Sequence, residues 1–324
     1  MDQKLIKIIE SLKENRYPNL TKDEVLDLVE NNSQGDILFL AEKIVQKTKG
    51  NTVFLCSILN AKSGVCEEDC AFCAQSEFHD TGVSVYPLLS EKEIIEKALF
   101  MHEKGATHFS IVTSGYALTD SDIERVCSSV KTIKEKTDLT LCGSLGMLSL
   151  ENARKLVQSG MERYHHNLET APSHFDKICT THSYKEDIQT VLTAKKAGFK
   201  VCSGGIFGLG ESLAQRVEFA FTLKELDVDT VPVNFLSPVK GTKLEKQKIL
   251  DPLEALFCIA LVRIVNPEKS VTICGGREIT LKDFQSWVFK AGANGLMIGN
   301  YLTTQGRNIE DDLDMIRDAN KKIG

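Results

Sequence analysis

One rhythm constrains this chain more than any other feature. From about residue 52 onward, short β-rich runs alternate with amphipathic helix patterns. The runs lie at 53–59, 108–113, 139–143, 162–168, 200–204, 230–235, 270–274 and 295–298. Helix patterns fall between them near 90–104, 120–136, 149–159, 184–197, 212–226, 252–265 and 280–291, with another near 310–320. Such alternation argues for an α/β fold with a parallel sheet and helical crossovers. Eight units is the number that closes a (β/α)8 TIM-type barrel; an open doubly wound sheet is the competing arrangement. The punctuation agrees. Ser90-Glu91-Lys92-Glu93 has the form of a capping box, and Asp120 and Ser149 read as simple caps. Gly105, Gly160, Gly198 and Gly292 close helix patterns.

A chain of 324 residues has room for two domains, but barrels of this kind run past about 250 residues as one. No long linker, repeat or low-complexity stretch divides it. We therefore read one barrel over 51–324. Residues 1–50 read as an N-terminal helical extension packed outside it. There Leu5, Ile8, Ile9 and Leu12 recur at helical spacing, and Thr21-Lys22-Asp23-Glu24 looks like a capped start. The net charge of −6 leaves no basic footprint for nucleic acid. No apolar run of about 20 residues is present, so no membrane span is expected. The start Met1-Asp2-Gln3-Lys4 lacks the charged-then-apolar pattern of a signal peptide, which points to the cytoplasm.

Ten cysteines are many for such a protein, and in a reducing compartment they are not expected as disulfides. Cys66, Cys70 and Cys73 form C-x3-C-x2-C directly after the first strand run. A zinc knuckle would need a fourth ligand, and His79 is the nearest candidate. The sharper reading is a [4Fe–4S] cluster on three thiolates, with one iron open to a small ligand. A loop after a barrel strand sits on the C-terminal face, where barrel enzymes keep their chemistry. Leu139–Cys142, Phe199–Cys202 and Val271–Cys274 share a second pattern, in which two apolar residues alternate with a polar residue and a terminal Cys. Val53-Phe54-Leu55-Cys56 is a looser version. The apolar pair should face the helices and the Cys the interior. These are the first, third, fifth and seventh strands. A barrel layer takes four side chains from alternate strands, so Cys56, Cys142, Cys202 and Cys274 can share one layer. The bland alternative is that each is a small core residue. We read Cys127, Cys179 and Cys258 that way, since they lie in helix patterns or their flanks.

The run Cys66-Glu67-Glu68-Asp69-Cys70-Ala71-Phe72-Cys73 resembles the signature of radical S-adenosylmethionine (SAM) enzymes. Within them, several ordered stretches resemble the biotin synthase family. They are Asn60–Val65, Tyr164–Thr170, Lys200–Gly205, Val231–Asn234 and Gly276–Glu278, and together they span about residues 45 to 320. Gly204–Glu211 matches the G-x-I-x-G-x-x-E pattern that borders adenine in those enzymes. The resemblance implies sulfur insertion into dethiobiotin. A [4Fe–4S] cluster cleaves SAM to a deoxyadenosyl radical, an auxiliary cluster supplies sulfide, and an electron donor such as flavodoxin or ferredoxin feeds the reaction. It implies a homodimer. It places Phe72 and Ile206 near the adenine, Glu169 on the SAM ribose, Asn167 between SAM and substrate, and Asn234 and His165 on the substrate side.

The chain also departs from that family. Cys142 and Cys202 match two of its usual auxiliary [2Fe–2S] ligands, but the other two positions hold Ser110 and Thr272. Cys274 appears two residues further along, and Cys56 stands where a serine is common. We expect a relocated auxiliary cluster, [2Fe–2S] or of a four-iron type, on Cys142, Cys202 and Cys274, with Cys56 as a possible fourth ligand. The usual SAM-carboxylate arginine is Asp187 here, and His165 replaces an asparagine. Arg277 reads either as an interior charge near the auxiliary site or as an ion pair with Glu278. Other radical SAM barrels, of maturase or mutase type, and a non-catalytic iron–sulfur or zinc protein remain as alternatives.

Overall fold

The structure, a computed structural model, describes residues 3–14, 17 and 19–324. Its strands are β1 (Thr52–Lys62), β2 (His108–Thr113), β3 (Thr140–Ser144), β4 (Arg163–His165), β5 (Lys200–Cys202), β6 (Gly205–Phe207), β7 (Thr230–Phe235), β8 (Ser270–Ile273), β9 (Gly295–Met297) and the terminal β10 (Lys322–Ile323). β1 to β9 run parallel in chain order, and β1 pairs with β9, aligning Phe54 with Gly295 and Cys56 with Met297. That pairing closes the sheet. With β5 and β6 sharing one barrel position, eight positions result, as the rhythm predicted.

The helices are α1 (Gln3–Lys13), α2 (Lys22–Asn31), α3 (Gln34–Lys49), α4 (Glu91–Glu103), α5 (Asp120–Lys136), α6 (Leu150–Gln158), α7 (Pro172–Phe175), α8 (Tyr184–Ala197), α9 (Leu213–Glu225), α10 (Pro252–Val265), α11 (Arg277–Leu281) and α12 (Ile309–Asp318). α10 is buried at every residue from Ala255 to Val265. A helix apolar all round needs cover on both sides; the barrel lies on one side and α3 on the other. The first three helices thus share one continuous hydrophobic core with the barrel. No helix among the described residues is long and apolar enough to cross a membrane.

Three details differ from the sequence reading. Asp120 is not the cap of α5; Thr119 is, accepting a hydrogen bond from the Asp122 amide, and Asp120 sits in the first turn. The helix expected over 280–291 is instead α11 followed by a 3-10 turn over Lys282–Phe289. The break falls at Lys282, whose φ of 49° lies in the left-handed region, which an α-helix cannot continue through. The fifth strand is split after Cys202. Its partner β7 carries Pro232, which has no N–H for the ladder.

Candidate functional site

The loop after β1 is anchored by atoms other than its thiols. Asp69 accepts hydrogen bonds from the Thr180 amide and hydroxyl, both at 2.7 Å, and from Lys243 at 2.9 Å. Burial would raise this carboxyl, but these donors hold it well below the usual carboxylate range. The Ala71 amide donates to the Ile178 carbonyl at 2.8 Å, and the Cys66 amide donates to Gln75. His79 Nδ1 lies 2.8 Å from the Cys73 carbonyl, so it braces the loop backbone. Cys66, Cys70 and Cys73 remain half-buried on one cavity wall. Burial raises the Cys73 thiol to about 11, with Cys66 adding to the rise; the hydrogen bond to Cys179 and burial raise Cys70, and Cys73 adds to that rise. The three sulfurs therefore share one local field.

The cavity, about 450 Å³, runs from this loop down into the barrel. Cys56, Cys142, Cys202 and Cys274 line its far end. Burial pushes all four thiols up, Cys56 to about 12, and each is raised further by another of the four. The alternating strands do bring them together. Ser110, aligned with Cys142, and Thr272 present buried hydroxyls with no hydrogen-bond partner.

Between the two ends lie the residues expected around SAM and substrate. Phe72, Ile206, His165, Asn167, Glu169 and Asn234 all line the cavity. Asn167 donates to Glu169 at 3.3 Å and accepts from the Gly204 amide at 3.2 Å. Asn234 spans β6 and the end of β8, donating to the Gly205 carbonyl and accepting from the Gly275 amide. The Gly204-Gly205 pair is required by packing. A Cβ on Gly204 would lie 2.0 Å from the Pro232 carbonyl oxygen, and one on Gly205 2.2 Å from that of Glu169. This close approach lets the Ile206 amide bond Glu169 and seats the Gly-rich turn on the strand-four end. Burial holds His165 down to about 4, so it is neutral.

Burial, followed by the Asp187 carboxylate, pushes the Glu169 carboxyl up to about 8. A raised carboxyl binds its proton more tightly when folded. Its contribution is therefore fully present below its ordinary value of 4.5 and lost as pH rises through about 8. For the ligand-free protein we expect a loss on the order of a few kcal/mol between about pH 5 and about pH 8. Urea unfolding of Glu169→Gln should show that part of the slope flattened; an unchanged slope would refute the account.

Two features were missed by sequence reasoning. Cys179 is buried, but it is not mere packing: its sulfur lies 3.8 Å from that of Cys70 and 3.2 Å from His182 Nδ1. Cys70, then His182 and Thr181 working against burial, lower the Cys179 thiol. Burial opposes the charge on His182, but Asp187, Cys179 and Glu68 raise it. Asp187, the residue in the expected arginine position, is paired with His166 at 2.8 Å and His182 at 3.4 Å. Its carboxylate thus contacts two imidazole rings. The spacing Cys179–His182 was the available signal. Arg277 is the second feature. Its nearest carboxylate partner is the fully buried Asp312 at 2.5 Å, with Glu278 at 3.6 Å. The expected Glu278 pair is the minor one.

Comparisons with known proteins agree with this geometry. A family model described as the Radical SAM superfamily matches residues 61–223, and one described as the Biotin and Thiamin Synthesis associated domain matches 232–322. The chain is 56% identical over 282 residues to a biotin synthase of Syntrophus aciditrophicus, covering 87% of each. It is 50% identical over 306 residues to one of Geotalea daltonii, covering 93% of this chain and 92% of that one. Among solved structures, methylornithine synthase (PylB) superposes with a TM-score of 0.82 at 20% identity, covering 99% of this chain and 97% of that one. The FeFe-hydrogenase maturase HydG of Carboxydothermus hydrogenoformans gives 0.82 at 17% identity, covering 99% and 79%. At such identities the likeness establishes the barrel alone. Fold and signature loop define a radical SAM barrel enzyme, with a [4Fe–4S] cluster and SAM as its cofactors. Identity at this level over most of the chain then separates it from the maturase and mutase types: the chain belongs to the biotin synthase family.

Proposed function

We propose that this protein inserts sulfur into dethiobiotin to form biotin, using SAM and two iron–sulfur groups. The observation that carries the reading is one cavity with a thiol cluster at each end, three on the mouth loop and four inside the barrel. Both sets suit the groups assigned to them. The loop is held by its backbone and Asp69, which leaves Cys66, Cys70 and Cys73 to bind a [4Fe–4S] cluster. The interior thiols lie near one another inside the barrel, which suits an iron–sulfur site held by thiolates. Cys142, Cys202 and Cys274, with Cys56 as fourth, would hold the auxiliary cluster, [2Fe–2S] or four-iron. When bound, the two groups supply the electron that cleaves SAM and the sulfide that is inserted.

The protein's own side chains do the positioning. Glu169 and Asn167 stand together at the end of β4, where a carboxyl and an amide can take the two ribose hydroxyls. Phe72 and Ile206 offer apolar faces to the adenine. Neutral His165 and the amide of Asn234 face the space between the two thiol clusters, where substrate has to lie. Depth in the barrel excludes water from a radical that would otherwise be quenched. We assign the electron donor as flavodoxin or ferredoxin, the assembly as a homodimer and the compartment as the cytoplasm. The test is anaerobic reconstitution followed by SAM, reductant and dethiobiotin. Deoxyadenosine together with biotin is expected; deoxyadenosine without biotin would point to a different substrate.

A further inference from the structure

We propose that Arg163 is the counter-cation of the interior thiol site, a positioning residue that balances the charge of the auxiliary iron–sulfur group. The inference rests on the auxiliary-site reading above, and it names a residue to which no cysteine pattern points.

Arg163 opens β4. Its neighbour Tyr164 is fully buried on the helix side, so alternation turns Arg163 and His165 into the barrel, where both line the cavity. Arg163 is aligned with Cys142 on β3 and Lys200 on β5. Its guanidinium reaches past β5, where Nη1 donates to Thr230 Oγ1 at 2.7 Å. Thr230 is the residue aligned with Cys202. The side chain thus runs from beside one interior cysteine to beside another. Its positive field reaches the thiols of Cys56, Cys142 and Cys202, opposing the rise that burial causes.

What this cation lacks is an anion. Among the described residues that line the cavity it is the one Lys or Arg. It forms no salt bridge with any described carboxylate, and its Nε is buried with no hydrogen-bond partner. The two fully buried arginines, Arg263 and Arg277, are not left this way. Arg263 donates to the carbonyls of Gly292, Pro267 and Lys269 and to Asn294 Oδ1. Arg277 is paired with Asp312. A guanidinium with a buried, unmet donor is costly unless an anionic partner arrives. The partner must enter the cavity beside Cys142 and Cys202, and an iron–sulfur group on thiolates is an anion with acceptor sulfurs. Donors and positive charge near such sulfurs raise the reduction potential.

The experiment uses the full chain carrying Cys66→Ala, Cys70→Ala and Cys73→Ala, which leaves only the interior site to load. Iron, sulfide and midpoint potential are measured with Arg163 intact and as Arg163→Met, Arg163→Gln and Arg163→Lys. The neutral variants should shift the reduction equilibrium toward the oxidised form by at least about tenfold, or about 59 mV for a one-electron couple. Arg163→Lys, which keeps the charge, should shift it less. Neutral variants that load fully at an unshifted potential overturn the proposal, as does a lysine variant shifted as far as they are. If the neutral variants do not load, Arg163→Lys decides: loading supports the charge role, and failure to load overturns it. A parent with no residual iron is a distinct result, which sinks the auxiliary-site reading and this inference with it.

Discussion

Cys70→Ala is expected to abolish deoxyadenosine release from SAM, a loss of at least about 10³-fold, and Cys66→Ala and Cys73→Ala should do the same. No acid, base or nucleophile in the cavity can deliver the electron that opens a sulfonium; that chemistry belongs to the cofactor. Because enzymatic accelerations commonly start near 10⁶-fold, removing the electron source leaves almost nothing to measure. The loop itself should survive the change. Asp69 still binds Thr180 and Lys243, and Ala71 still bonds Ile178, without help from any thiol. The variants should therefore fold and lose iron. Cys127→Ser is the control, since that half-buried side chain lies on α5 away from the cavity. Anaerobic assay of deoxyadenosine, alongside iron content, checks the result. A Cys70→Ala protein that keeps more than about a tenth of its activity would remove the loop from the mechanism.

The parts of this site that were legible in the sequence are those that repeat or cluster. The alternation of strand and helix gives away the barrel because each crossover must bury one face of a helix on the sheet. The period of two along β1, β3, β5 and β8 turns Cys56, Cys142, Cys202 and Cys274 to the inner face, and all four line the cavity. Tertiary pairings were not legible. Asp312 reaches Arg277 from 35 residues away, displacing the adjacent Glu278 that local spacing suggested. Cys179 looked like an ordinary apolar residue at a helix flank, and only the fold sets it against Cys70. Arg163 is a lone charge in a short strand; its meaning depends on its inward direction and on the absence of a carboxylate, neither of which a single position reveals. Backbone breaks were hidden for a similar reason. Nothing local marks Lys282 for a positive φ, and the split of the fifth strand is set by Pro232 on the strand beside it.

Cys142→Ala and Cys202→Ala should separate two activities that the mouth-loop variants lose together. Biotin formation is expected to fall by at least about 10²-fold, as for loss of a metal ligand. Deoxyadenosine release in the presence of dethiobiotin should stay within a few-fold of the parent. The reason is spatial. The interior thiols sit on strand residues at the far end of the cavity, while Cys66, Cys70 and Cys73 are fixed by the loop's own bonds to 178, 180 and 243. Trimming a buried thiol to a methyl leaves only a small void, so the barrel should tolerate the change at a cost of about 1 kcal/mol. The two products are counted in one anaerobic reaction, which makes their ratio independent of how much protein was loaded. Cys274→Ala tests the relocated ligand directly: a biotin yield equal to the parent would return that residue to the core. Cys56→Ala then sets the ligand number. A collapse equal to that of Cys142→Ala means four thiolates hold the site, and retained biotin formation means three hold it, with Cys56 as a neighbour.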